Sequence, residues 1–402
     1  MRILMITDVY FPRVNGVSTS ILTFIRELEK QGHCVTLIAP RYGADDDSAR
    51  GIEATIIRVP SRVVPLDPED RFMKRHLINR LLPELDRQQF DIVHIQTPFV
   101  AHYAGVALAR KLGLPVVETY HTYFEEYLYQ YLDFLPRALM RWLARRFSRV
   151  QSRDVNAMVA PSTLMKQVLN AYGIDVPMQV IPTGLDHSRF YGGSGNLFRA
   201  QHGIAPERSV LCHVGRMAHE KNIDFLLDML VLVKRAIPDI LLVLAGEGPA
   251  LKHLQKKAAG LELDANVLFV GYLDRDRALK DCYRAGDVFV FASRTETQGL
   301  VLLEAMALGV PVVSTAVLGT VDILAPGRGA LVARDDTEDF AWQVVHLLKN
   351  GELRVRKGVE AIAYAHEWSA PEMAKRMADY YERISDAAVG SDVALQQVSD
   401  SA

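Results

Sequence analysis

Long apolar runs are missing from this chain. No stretch reaches about 18 consecutive apolar residues, so no segment is expected to span a membrane. Cysteine is scarce. Cys34, Cys212 and Cys282 are far apart and odd in number, which gives neither a disulfide framework nor a metal-ligand spacing and points to a reducing cytoplasm. The opening MRILMITDVYF breaks at Asp8 and lacks a small-residue cleavage site, so it reads as a first buried strand rather than a signal peptide. A complete G-x-G-x-x-G fingerprint is also lacking: GEGP at 246–249 falls short, which argues against a nicotinamide site.

What is present suits a soluble globular protein, with 49% apolar and 23% charged residues. At 402 residues the chain fits two domains of about 150–200 residues each better than one. Its net charge of −2 conceals an asymmetry: residues 71–153 hold 13 basic against 7 acidic side chains. No nucleic-acid partner is expected.

Short apolar runs alternate with helical patterns in both halves. RILMIT, CVTLIAP, TIIRVP, DIVHIQ, PVVETY and AMVAPS read as strands of the first half, with helices between them, one near 70–88. The rhythm restarts at SVLCHVG and runs through ILLVLAG, NVLFVG, VFVFAS and VPVVST. Strands alternating with helices predict parallel sheets covered on both faces. The Gly- and Ser-rich HSRFYGGSGNLFRA separates the halves and has a linker composition. The expected organisation is therefore two doubly wound Rossmann-like domains, 1–186 and 200–365, joined by a linker at 187–199. A helix at 366–385 follows, with Ser369 and Glu372 spaced as a capping box, and then a flexible polar tail at 386–402. Ligands of such sheets bind at the carboxyl ends of the strands, here in a cleft between the two domains.

Candidate site residues gather at those strand ends. After SVLCHVG, Gly215 leads into RMAHEKN, which places Arg216 and Lys221 where a forked guanidinium and a point charge could hold a diphosphate; two solvated loop cations is the alternative. After VFVFAS comes SRTETQGLVLLEAMALGVPVV. A helix beginning near Gly299 would aim the amides of Gly299 and Leu300 at a phosphate, and glycine would let the ligand approach the backbone. Glu296 before that helix and Glu304 about a turn inside it could then accept from hydroxyl pairs on either side of the phosphates. For Glu304 the alternative is a carboxylate favoured by the helix dipole.

These pieces resemble a known family. The E-x7-E of ETQGLVLLE, Arg216 and Lys221 in GRMAHEKN, AGEGP at 245–249 and VGYLD at 270–274 are similar to the family-four retaining glycosyltransferases of the GT-B fold. The resemblance spans nearly the whole chain, from DVYFPRVNGVSTSI to the helix after Trp368. It implies that Arg216 and Lys221 neutralise the donor diphosphate, that Glu296 holds the donor sugar and Glu304 the nucleoside ribose. It further implies that Gly271 and Leu273 line the base pocket, that Gly16 lets the first strand-to-helix loop close over the donor, and that His121 in ETYHTYFEEY contacts the sugar. It also implies same-face attack, with the leaving phosphate helping to deprotonate the acceptor. Double displacement stays open, because Glu118, Glu125 and Glu126 lie near His121. No cofactor and no metal are expected. The DRD at 274–276 precedes a helix and reads as an N-cap rather than a metal motif, and DDD at 45–47 reads as a solvated loop.

Two basic segments suggest the acceptor. PEDRFMKRHLINRLLPEL interleaves Arg71, Lys74, Arg75 and Arg80 with Phe72, Met73, Leu77 and Ile78. LPRALMRWLARRFSRVQSR carries six arginines, among them Arg141, Arg145 and Arg146 beside Trp142. Basic amphipathic helices of this kind suit an anionic membrane, and an ordinary core-facing helix is the alternative. The expected activity is transfer of a hexose from a nucleotide-sugar, UDP-glucose first, to a membrane glycerolipid at the inner face of the cytoplasmic membrane. The half that holds these segments is similar to the diacylglycerol glucosyltransferases and phosphatidylinositol mannosyltransferases. The alternatives are GDP-mannose or another UDP-hexose as donor, a soluble or polysaccharide acceptor, a sugar-nucleotide epimerase, and a non-catalytic binding protein.

Overall fold

The computed structural model describes residues 1–43, 52–64, 67–121, 123, 136–275 and 277–399. They divide into two compact units, one made of Met1–Gly184 with the chain from Ala370 onward, the other of Leu185–Ser369.

The first unit is built on a seven-stranded sheet. Its strands are β1 (Arg2–Ile6), β2 (Cys34–Pro40), β3 (Thr55–Val59), β6 (Ile92–Ile95), β7 (Val116–Thr119), β8 (Ala157–Ala160) and β9 (Met178–Val180), ordered β3-β2-β1-β6-β7-β8-β9 and parallel throughout. Met5 lies opposite Leu37 on one side and His94 on the other. A parallel sheet covered on both faces needs apolar runs rather than alternation, which is why ILMI and TLIAP are buried along their length. The order reverses between β1 and β6, and the chain end there is tied down. Asp8 just past β1 accepts from Thr97 Oγ1 at 2.9 Å and from the Ala101 amide at 3.1 Å, in the first turn of the helix Val100–Leu112.

The second unit repeats the plan with β10 (Val210–Val214), β11 (Leu241–Ala245), β12 (Val267–Gly271), β13 (Val288–Phe291), β14 (Val312–Ser314) and β15 (Ala330–Val332). Its sheet is ordered β12-β11-β10-β13-β14-β15, all parallel. Val210, Cys212 and Val214 pack to one face and Leu211 to the other, each into its own apolar cluster. Here the order reverses between β10 and β13. At such a reversal the connections leave in opposite directions, which opens a ligand crevice at the carboxyl ends.

Three elements differ from the sequence reading. Residues 67–73 are not helical: they form β5 (Asp67–Met73), paired antiparallel with β4 (Ser61–Val64), so that Phe72 faces Arg62 and Met73 faces Ser61. Only the short helices Arg75–Asn79 and Leu82–Arg87 follow. The Gly- and Ser-rich stretch contains the helix Gly195–Gln201, capped by Ser194 and anchored by buried Phe198. Its glycine serves packing, since a Cβ on Gly195 would lie 2.1 Å from the Arg284 carbonyl oxygen. The last helix runs from Ala370 to Ser399, past the expected boundary at 385. Its Met373, Met377 and Tyr381 pack against the helix Gly16–Lys30 and strands of the first sheet.

Candidate active site

In the second unit the loops after β10 and β13, the strands that flank the reversal, carry the predicted charges. Gly215 and Arg216 leave β10, and Lys221 ends the short 3-10 turn His219–Lys221. Glu296 follows β13. Lys221 Nζ and Glu296 Oε1 form an ion pair, with side chains 21% and 20% exposed. Burial works to lower the Lys221 pKa, but the Glu296 carboxylate outweighs it and the ammonium is held above its usual range. Residues 75 positions apart thus form one charged pair at the crevice.

The glycine loop at 245–249 supports this turn. Gly215 donates to the Ala245 carbonyl at 3.0 Å, and Met217 donates to the Glu247 carbonyl at 2.8 Å. Gly246 has φ +137°, and a Cβ there would lie 1.9 Å from the Gly215 oxygen, so no other residue lets the two loops touch. Gly271, at φ +67°, accepts from the Gly246 amide at 2.8 Å, and Leu273 packs on the core beside it.

The helix after Glu296 spans Leu300–Ala307, with Gly299 as its N-cap in the left-handed region at φ +94°. Glu304 lies on its buried side at 2% exposure, and both of its oxygens are engaged. Oε1 pairs with Arg275 Nη2, and Oε2 accepts from the Tyr283 hydroxyl at 2.8 Å. Burial and the neighbouring carboxylate push the Tyr283 hydroxyl well above its ordinary range. Neither Arg275 nor Tyr283 was singled out in the sequence; only the proximity of Arg275 to VGYLD pointed its way. Asp274 lies in the turn before the helix Ala278–Ala285, whose N-cap is Arg277, and accepts from the amides of Arg277 at 2.9 Å and Ala278 at 3.3 Å. Asp276 lies outside the described residues, as do Asp45–Asp47, Glu125 and Glu126.

His213 is a further residue that the sequence reading passed over. It is fully buried on β10, its Nδ1 lies 3.0 Å from the Val290 carbonyl, and Nε2 would sit 3.4 Å from a Cβ on Gly215. Burial lowers its pKa to about 4.

Among the described residues, His219, Asp224 and His253 could together face a metal ion, their ligand atoms lying within 4.8 Å of one another. Asp224 Oδ1, however, already accepts from His253 Nε2 at 2.8 Å and lies 3.4 Å from the Lys257 ammonium, which supplies it with a cation.

In the first unit, His121 follows β7 and is partly buried. Its Nε2 lies 3.0 Å from Gln96 Oε1, and Gln96 Nε2 lies 2.9 Å from His94 Nδ1. Burial lowers the His121 pKa to about 4 and that of His94 to about 3. A small pocket beside His121 is also lined by Glu118, Tyr120, Ser148 and Gln151, and Glu118 is held 3.0 Å from His102 Nδ1. Gly16 opens the first helix as its first residue rather than lying in the preceding loop, and nothing stands within 4 Å of where its Cβ would be.

The predicted basic surface is part helix, part strand. On the helix Arg137–Ser152, Met140 and Ala144 are buried while Leu139, Trp142, Leu143 and Val150 are exposed, Trp142 to 55%. Arg146 lies over Trp142 at 5.7 Å, whereas Arg145 covers Tyr172 at 5.3 Å and Arg149 bonds the Tyr172 carbonyl. Arg141 is exposed on the same helix. Arg71 belongs to β5 and lies over Tyr42 at 5.2 Å; Lys74, Arg75 and Arg80 are exposed around the short helix that follows. Among the described residues no helix is long and apolar enough to cross a membrane.

Comparison with known proteins places these features. Residues 14–189 match the model of Glycosyltransferase Family 4, and residues 196–363 that of Glycosyl transferases group 1. The chain is 36% identical over 323 residues to alpha-monoglucosyldiacylglycerol synthase of Streptococcus pneumoniae, covering 78% of this chain and 71% of that protein. It is 28% identical to a GDP-mannose-dependent alpha-mannosyltransferase of Mycobacterium tuberculosis, over 89% of this chain and 92% of that one. The structure of Anabaena HepE in complex with UDP and glucose superimposes with a TM-score of 0.77 at 17% identity, over 95% of this chain and 100% of that one.

Proposed function

The chain belongs to the family-four glycosyltransferases, with the GT-B fold, and is a hexosyltransferase; from that premise we propose that it moves glucose from UDP-glucose to a membrane glycerolipid with retention at the anomeric carbon. Breaking a glycosyl–phosphate bond develops negative charge on the leaving diphosphate and positive character on the sugar. Fixed donors at the phosphate are then the main electrostatic lever. Arg216, Lys221 and the amides of Gly299 and Leu300 supply them. Glu296 holds Lys221 charged and takes a sugar hydroxyl, and His121 contacts the sugar. Glu304 is the candidate for the ribose; buried, with Arg275 on one oxygen and Tyr283 on the other, it takes a ribose hydroxyl only by exchanging one of those bonds. The leaving phosphate itself assists deprotonation of the acceptor, so no enzyme nucleophile and no metal are required.

One observation carries the lipid acceptor. Leu139, Trp142 and Leu143 stand exposed among Arg141 and Arg146, although the same helix buries Met140 and Ala144 in the core. An exposed aromatic set among arginines suits an anionic interface. The Streptococcus relative, named for a glucosyldiacylglycerol, supports both glucose and a lipid. The mannosyltransferase relatives favour GDP-mannose as the second donor. Co-flotation with vesicles containing anionic lipid tests the membrane step. Arg141→Ala and Arg146→Ala are expected to weaken binding by about fivefold each at low salt. Equal flotation of parent and variants, or none by the parent, contradicts the proposal.

A further inference from the structure

Glu304 has a partner on each oxygen, and the two partners differ in how firmly they are held. The Tyr283 hydroxyl donates to Oε2 at 2.8 Å, and Arg275 Nη2 pairs with Oε1. Tyr283 is fully buried on the helix Ala278–Ala285, in the core cluster that also holds Cys212, Cys282 and Phe289. The Phe289 ring centre lies 5.5 Å from its own. The tyrosine cannot swing aside without moving that core. Arg275 sits in the turn between β12 and this helix, with 24% of its side chain exposed. Its guanidinium ends a long stem and can leave toward solvent while the backbone stays in place.

A polar ligand that reaches Glu304 therefore replaces Arg275 and not Tyr283. Removing the guanidinium alone would strand a buried carboxylate, which is costly. Displacement needs hydrogen-bond donors that take over Oε1 at once, and an anion that receives the guanidinium. A ribose diol supplies the donors and a diphosphate supplies the anion. A bare nucleoside or inorganic diphosphate supplies one of the two.

We propose that Arg275 is a positioning residue that holds the Glu304 carboxylate in place of the ribose diol and yields it to a nucleoside diphosphate, while Tyr283 stays bound. This rests on the reading of Glu304 as the ribose carboxylate. The exchange sets the value of the diol. Each ribose contact is gained against a lost ion pair, and a diphosphate already facing Arg216 and Lys221 returns only part of it. The ribose hydroxyls thus add little to affinity in the parent and much more once Arg275 is replaced.

Affinity ratios on the full chain test this, because a ratio between two ligands is not moved by a loss of folded protein. Kd would be measured by calorimetry for UDP or GDP, whichever binds more tightly, and for its 2′,3′-dideoxy form. The preference for the ribose form is expected to rise about tenfold in Arg275→Gln, where a weaker neutral donor holds Oε1. It should fall back to the parent's value when Glu304→Gln is added. Nitrogen-15 NMR of the arginine-labelled parent covers the case in which the glutamine variant fails to fold. The Arg275 Nε–H signal, assigned by its loss in Arg275→Lys, should be moved further by the ribose nucleotide than by the dideoxy form. An unchanged or lowered preference in Arg275→Gln, or an equal shift by both nucleotides, overturns the proposal. A raised preference that persists in the double variant would instead overturn the assignment of Glu304 to the ribose.

Discussion

The ion pair between Lys221 and Glu296 gives the most exacting test of the donor site. Each side chain is about one-fifth exposed. Losing one partner of a fully buried pair costs about 3–5 kcal/mol, and an exposed pair contributes at most about 1 kcal/mol. A pair mostly but not wholly buried falls between, so Glu296→Gln should destabilise by about 2–3 kcal/mol. For a unit of this size that lowers Tm by about 4–12 °C. Lys221→Met should cost a similar amount, because it strands the Glu296 carboxylate. The double variant strands neither charge and should recover most of the loss. Activity should follow a different pattern. Lys221→Met removes a charge from the leaving phosphate and should lower kcat by about 10²–10³. The double variant should be no faster, although it is more stable. Differential scanning fluorimetry and nucleotide-release rates on the four proteins complete the cycle. Additive losses of Tm would refute the coupling, and turnover by Lys221→Met within about threefold of the parent would refute the role at the phosphate.

Three further outcomes follow from the same geometry. Arg275→Met leaves the Glu304 carboxylate buried and uncompensated and should cost about 3–5 kcal/mol, whereas Tyr283→Phe removes one neutral donor and should cost about 1–3 kcal/mol; urea midpoints that reverse this order would contradict the arrangement. His94 and His213 are buried neutral, with pKa values of about 3 and about 4, against about 6.5 in an unfolded chain. The unfolded state therefore binds more protons between those values, so their contribution is complete above about pH 6.5 and is lost as pH falls toward 4. Between pH 7 and 5 each histidine should withdraw about 2 kcal/mol, one from each unit. A pH slope left unchanged in His94→Asn would show the reasoning to be wrong for that site. Chelation should leave nucleotide release intact, and complete loss restored only by Mg²⁺ or Mn²⁺ would contradict a reaction without metal.

Strands were legible in the sequence wherever burial on both faces demanded an apolar run, as in RILMIT and VFVFAS. The stretch 68–85 misled because Phe72, Met73 and Leu77 recur at helical spacing, while the strand Asp67–Met73 owes its form to pairing with Ser61–Val64. Local periodicity carries no record of a partner strand. The glycines at 192–195 misled for a related reason. Flexibility and close packing both select glycine, and only the structure shows the Arg284 carbonyl against Gly195. At the site, Lys221 and Glu296 could be placed at strand ends one at a time, and the structure adds their pairing. Arg275 and Tyr283 stayed hidden because they reach Glu304 from 29 and 21 residues away. His94 lies in DIVHIQ, which the sequence showed only as a strand, and nothing there singled it out.

The most direct test of the central claim is nucleotide release from UDP-glucose, UDP-galactose, UDP-GlcNAc and GDP-mannose. Each would be followed with and without anionic vesicles containing diacylglycerol or phosphatidylinositol. Release from UDP-glucose alone, stimulated by vesicles with diacylglycerol and accompanied by glucolipid of retained anomeric configuration, is the predicted result. Release indifferent to vesicles would move the acceptor into solution and leave the helix Arg137–Ser152 with a purely structural part.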